Sequence, residues 1–189
     1  GGDTMLGILA AMPAELDAVI EATHADEVIE LGGRRYHRGT YGGEPVVCVT
    51  SRIGKVAAAA TTAILLERFA PRAVVMTGLA GAVDPSLSIG DIVIAEKLLQ
   101  HDLDARPLFP RHEIPLLGVT ELVADPILSS RLAAAAAAFE PPDAVRALGI
   151  SQPRVHRGLV VSGDQFISST EEVAALRERL PDALCVEME

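Results

Sequence analysis

The sequence predicts an α/β fold in which helices cover both faces of a sheet with parallel strands. Two observations carry that expectation. Short apolar runs rich in β-branched residues alternate with helix-like segments along the chain. The length, 189 residues, suits one full α/β domain and falls short of two comfortable ones. No internal boundary or repeat is visible, so a single domain is expected over residues 5–189. Residues 1–4, GGDT, read as a cloning remnant ahead of Met5.

The elements follow in order. Residues 5–12 (MLGILAAM) predict a strand, and PAELDAVIEAT predicts the helix after it, with Pro13 in a first turn that tolerates a missing N–H. A polar, glycine-marked stretch follows, and RRYHRGTYGGEPVVCVTS predicts two strands around a Gly42-Gly43 turn. Residues 54–69 predict a helix, being Ala-rich and free of Pro, with Ile64, Leu65 and Phe69 at helical spacing. AVVMTG (73–78) and DIVIAE (91–96) predict short strands. Asp125 is expected to cap a helix that opens at Pro126 and runs through an alanine run to Phe139. Residues 141–153 read as loop, VHRGLVVSG as strand, 171–180 as a surface helix, and ALCVEME (183–189) as a strand.

Composition narrows the function. A net charge of −10 opposes phosphate-tracking nucleic-acid binding and docking on an anionic membrane, which leaves small ligands and protein partners. The longest apolar stretches are too short to span a bilayer, and the N-terminus lacks the pattern of a signal peptide. Cys48 and Cys185 sit inside apolar runs, as buried free thiols of a reducing compartment would. A cytoplasmic location is the expectation. The five histidines show no tight ligand spacing. HDLD at 101–104 reads as a polar loop, and no metal site is predicted.

Open parallel sheets bind ligands beyond the carboxyl ends of their strands, and four stretches lie there. In TGLAGA (77–82), small side chains let backbone N–H groups approach a ligand, although a tight turn under a helix explains the motif slightly better. In VSGDQFISS, Phe166 is one of few aromatics; it can stack on a planar base or sit beneath the loop as core. Glu15, just past the first strand, can serve as a general base or simply favour a helix N-terminus. Strand alternation places Cys185, Glu187 and Glu189 on one face of ALCVEME. Two carboxylates there suit the donors of a sugar diol, or else the strand has already reached solvent.

Taken together and in order, GILAAMPAEL, SRIGKVAAA, TGLAGAVDPSLSIGDIVIAE, GLVVSGDQFI and ALCVEME resemble the 5′-methylthioadenosine/S-adenosylhomocysteine nucleosidases of the purine nucleoside phosphorylase superfamily. The resemblance runs from residue 5 to 189 and is weakest over 21–43 and 103–153. It implies a three-layer α/β sandwich around a twisted mixed sheet, a homodimer with active sites near its interface, and cleavage of adenine nucleosides without metal or cofactor. By position, Glu15 matches the glutamate that activates water, and Gly81 a binding-site glycine flanked by Leu79 and Ala80. Phe166 matches the aromatic stacked on adenine, and Ile167 the residue whose backbone reads the base edge. Met188 and Glu189 match the pair on the ribose, with Glu187 beside them. The loop after His101 resembles a segment lent to the neighbouring subunit.

Three departures stand out. Leu79 replaces a frequent Ser, and Arg52 replaces a small residue. The family's general acid, an aspartate in a Ser-Asp pair, would lie on a strand after VEME, with final helices beyond it. The expectation is therefore a part of a longer nucleosidase or a damaged catalyst. Arg52 keeps a phosphate-using nucleoside phosphorylase as the alternative, and the missing acid keeps a non-catalytic nucleoside-binding protein.

Overall fold

The computed structural model describes residues 5–189, so the reading of residues 1–4 lies outside the described residues. The chain forms two compact units, one running up to Leu79 and including Met188–Glu189, the other Ala80–Glu187. Each contains a five-stranded mixed sheet.

The first unit runs β1 (Leu6–Ala10), α1 (Pro13–Ala22), β2 (His24–Leu31), β3 (Arg34–Tyr41), β4 (Glu44–Thr50), α2 (Lys55–Phe69) and β5 (Ala73–Met76). Its strand order is β2-β3-β4-β1-β5, with β1 parallel to both β4 and β5 and the other pairs antiparallel. Both faces of β4 are buried. Val47 and Val49 join Leu9, Tyr36, Leu65 and Phe69 in one cluster, while Val46 and Cys48 join Ala10 and Leu16 in another. Helix α2 therefore covers one face and α1 the other, as the period of two along the strand requires. Leu16 and Leu65, both fully buried, each contribute roughly 1.5–3 kcal/mol. A methyl on Gly7 would lie 3.0 Å from Leu65 Cδ2, so the bare residue lets α2 close on the sheet. The Tyr36 ring stacks on Phe69 with centroids 5.2 Å apart, and its hydroxyl donates to Thr61 O. Helix α2 ends on Ala70 in the left-handed conformation, φ 44° and ψ 53°.

The second unit runs β6 (Gly81–Ala82), β7 (Ile92–Gln100), β8 (Leu122–Val123), α3 (Pro126–Ala137), α4 (Asp143–Arg146), β9 (Val155–Ser162), α5 (Thr170–Arg179) and β10 (Ala183–Glu187). Strand β9 lies between β7 and β10 and is parallel to both, while β6 and β8 pair antiparallel at the edges. Its core gathers Val83, Leu99, Leu159, Val161, Leu176, Ala183 and Val186. Asp125 caps α3 by accepting from the N–H groups of Ile127 and Leu128. Ser169 and Glu172 form a reciprocal capping box on α5.

The structure departs from the sequence reading at several places, including the short strands β6 and β8 and the end of α3 at Ala137 instead of Phe139. The polar stretch after α1 contains β2, and β7 continues four residues beyond 96 to Gln100. A short helix, α4, interrupts the 141–153 loop. Strand β10 ends at Glu187 and shifts register between Ala183 and Cys185, so simple alternation does not extend to Met188 and Glu189.

Asp91 fastens the start of β7 to the start of β9. Its carboxylate, 6% exposed, accepts from Arg154 Nη2 and from His156 Nε2, each at 2.9 Å, and from the N–H groups of Ser88 and Arg154. Burial alone would raise its pKa. The hydrogen bonds from Ser88, His156 and Arg154 outweigh burial and hold it well below the usual carboxylate range. A depressed folded-state pKa stabilises the fold above the unfolded value of about 3.9, and that stabilisation is lost as pH falls through the folded value. Asp91→Asn should therefore lower Tm at pH 7. The gap to wild type should narrow below about pH 4, as thermal melts across pH will read; a gap independent of pH would contradict the assignment.

Candidate functional site

In the first unit the site is built around Glu15. It is the third residue of α1, where a glutamate side chain can turn back on the helix start. Its Oε1 accepts from the Met12 N–H at 2.9 Å and its Oε2 from the Leu79 N–H at 2.8 Å. Met12 follows β1 and Leu79 follows β5, so the carboxylate ties together the carboxyl ends of two parallel strands. Gly78 makes this possible, because a methyl there would lie 2.5 Å from Oε2 and 3.3 Å from Cδ. Each oxygen retains further acceptor capacity for a water proton. The Leu79 side chain is exposed while its N–H is committed to Glu15. Met188 and Glu189 belong to this unit and are half-buried.

The same unit carries a cavity of about 600 Å³ whose lining includes Met12, Arg34, Arg35, His37, Arg52 and Ile53. Burial pushes the His37 imidazole below its ordinary pKa, and the neighbouring Arg35 charge adds to the effect.

In the second unit the carboxyl ends of β9 and β10 meet. Gly163 N–H donates to Glu187 O at 3.2 Å, and Ser162 Oγ donates to the Glu187 carboxylate. Gly81 pairs with Val186 across β6 and β10, and the position of its absent side chain is 3.9 Å from Ile167 O. Gly81, Ile167 and Glu187 are thus brought together, with Ala80 exposed just before β6. Phe166 is 78% exposed, which makes it a bare aromatic face at the strand ends and not core. Cys185 beneath them has its thiol pushed up to about 11, by burial and then by the Glu187 charge. Both cysteines are buried and free.

Sequence reading missed the supports of these residues. His101 is not part of an open polar loop. It is 2% exposed, and its ring packs where a side chain on Gly163 would be, 2.3 Å from Nε2. Asp102 accepts from the Asp164 N–H at 2.8 Å. Together they brace the loop that carries Phe166 and Ile167. The HDLD motif was visible, but its partner lies 62 residues away. Gly78 was equally visible within TGLAGA, without the carboxylate that demands it. Among the described residues no group of three His, Cys, Asp or Glu side chains is arranged to hold a metal ion. No helix among them is long and apolar enough to cross a membrane.

The comparisons with known proteins agree on one group. The family model of the Phosphorylase superfamily matches residues 5–189. A 5′-methylthioadenosine/S-adenosylhomocysteine nucleosidase from Staphylococcus epidermidis is 33% identical over 98% of this chain and 76% of its own length. The Neisseria meningitidis nucleosidase of the same name, solved with methylthio-immucillin-A, superposes with a TM-score of 0.83. It shares 31% identity over 98% of this chain and 76% of that one. The Colwellia psychrerythraea nucleosidase, solved with adenine, also has a TM-score of 0.83, with 34% identity over 99% of this chain and 73% of that one.

The Glu15–Gly78 contact can be tested by stability alone. Gly78→Ala should lower stability by about 1 kcal/mol, because it displaces the carboxylate from its two N–H donors. In a Glu15→Ala background the same methyl should cost far less. Chemical denaturation of the four proteins of this cycle reads the coupling; additive effects would contradict the contact.

Proposed function

Because the chain belongs to the phosphorylase superfamily and, within it, to the 5′-methylthioadenosine/S-adenosylhomocysteine nucleosidases, we propose that it hydrolyses the N-glycosidic bond of adenine nucleosides bearing a 5′ thioether. The products are adenine and a thioribose. The observation that carries this reading is the fixed Glu15 carboxylate, aimed by two backbone N–H groups and backed by Gly78. A carboxylate held in one orientation suits a general base for water.

Glu15 removes a proton from water as the water oxygen bonds to C1′ of the sugar. The C1′–N9 bond breaks with its electron pair remaining on the purine, which then takes up a proton from an acid; no residue named above has that role. Positive charge develops on the ribose in the transition state. Glu189, with Met188 beside it, receives the sugar hydroxyls, and its negative charge favours that state over the neutral substrate. Phe166 stacks on the adenine ring, and the backbone of Ile167, next to Gly81, bonds its polar edge. Leu79, Ala80 and Glu187 are assigned to substrate binding with them, and Ser162 Oγ donates to the Glu187 carboxylate.

The reading includes one phosphorylase-type domain over 5–189, which the uninterrupted family match supports, and a cytoplasmic location, which the buried free thiols support. It also includes a homodimer. Leu108, Leu116 and Leu117, exposed on the segment after His101, support that assembly. No cofactor is assigned.

The test is release of adenine from methylthioadenosine in phosphate-free buffer by the purified chain. Glu15→Gln should lower kcat by about 10²-fold or more, and Glu189→Ala should lower kcat/KM sharply with Tm preserved. Near-normal turnover in either variant refutes its role. Binding without any adenine release would leave a nucleoside-binding protein.

A further inference from the structure

We propose that the arginine-lined cavity of the first unit binds an oxyanion. The carboxylate at the end of a charged 5′ substituent is one source of that chemistry, and inorganic phosphate is the other. The choice of nucleoside rests on the proposed function; the anion site itself does not.

The charge balance is the first argument. The chain carries 26 acidic and 16 basic residues, yet three of its arginines, Arg34, Arg35 and Arg52, line this one cavity against a single carboxylate, Asp17. None of the three forms an ion pair among the described residues. Arg34 Nη1 donates to Gly32 O at 2.7 Å and Arg52 Nη2 to Gly33 O at 3.0 Å. These bonds anchor each guanidinium on the turn between β2 and β3 while leaving most of its five donors unused. Arg34 Nε is buried and makes no hydrogen bond. Such planar forks suit the paired oxygens of a carboxylate or phosphate.

The second argument is backbone strain. Arg52 has φ 79°, a left-handed conformation that glycine adopts freely and a long side chain resists. Two hydrogen bonds hold it there, Ser51 N–H to Ala10 O and Arg52 N–H to Ala11 O, each 2.8 Å. Arginine is thus kept where glycine would be more stable, and what it adds is a guanidinium in the cavity wall. Met12 and Ile53 supply apolar lining alongside it. Met12 also gives its N–H to Glu15, so the cavity adjoins the proposed base. A thioether chain along the apolar residues would bring a terminal carboxylate to the arginines.

The experiment compares wild type, Arg52→Gly and Arg52→Lys. Adenine release is measured from methylthioadenosine, whose tail is neutral, and from S-adenosylhomocysteine, whose tail carries a carboxylate. Thermal shifts are read in sodium phosphate, and with S-adenosylhomocysteine, against sodium chloride at equal ionic strength. Arg52→Gly should keep or raise Tm while lowering kcat/KM for S-adenosylhomocysteine by about tenfold or more. Its kcat/KM for methylthioadenosine should hardly change, and Arg52→Lys should recover part of the loss. A phosphate-specific Tm rise abolished in Arg52→Gly, with a sugar 1-phosphate among the products, would identify phosphate as the anion. Equal effects on both substrates, with no phosphate-specific shift, would overturn the site. If wild type releases no adenine from either substrate, the nucleosidase reading fails. The thermal shifts with S-adenosylhomocysteine and phosphate then still decide the anion site.

Discussion

The first unit is organised around one carboxylate held by two backbone N–H groups. Glu15 reaches Met12 at the end of β1 and Leu79 beyond the end of β5. These two ends lie level only because the strands pair in register, Leu6 with Ala73 and Leu9 with Met76. Two hydrogen bonds to one carboxylate, from backbone groups 64 residues apart in the case of Leu79, fix both the side chain and the loop that donates to it. Neither donor depends on side-chain identity. What the arrangement does demand is the missing side chain at Gly78, together with a sheet that delivers both strand ends to one place.

The second unit solves its own positioning problem in a similar way. The loop after β9 is held from behind by a buried ring, His101, seated against Gly163. From the side it is held by the Asp102 carboxylate on the Asp164 N–H. In both units a glycine removes a side chain so that a functional group from a distant part of the sequence can approach the backbone. Phe166 is left exposed while the loop beneath it is braced, which is the condition for a rigid stacking surface.

Local chemistry was legible in the sequence, and distant chemistry was not. Asp125 capping α3 and the Gly42-Gly43 turn between β3 and β4 each depend on a few adjacent residues, and both were readable. Strand β2 escaped because it is an edge strand with a largely exposed surface, so HADEVIEL lacks the apolar alternation that marks a half-buried strand. Glu15 was readable as a candidate from its place after a strand. The reason for Gly78 was not, since it lies in a carboxylate 63 residues upstream. His101 was misjudged for the same reason. Its neighbours in sequence are polar and charged, while its neighbours in space bury it.

The end of α2 shows how two opposing local effects are resolved. Ala70 holds a left-handed conformation that costs an L-residue roughly 1–2 kcal/mol, which favours fraying of the last turn. Phe69, immediately before it, is buried and stacked on Tyr36. Burying such a side chain contributes about 1.5–3 kcal/mol, and aromatic pairing about 0.5–1.5 more. The stack outweighs the strain. The final amides of this helix therefore do not open as a loose terminus. Their hydrogens should exchange with the slow, cooperative opening of the core itself, with the left-handed residue at the edge of that cooperative block.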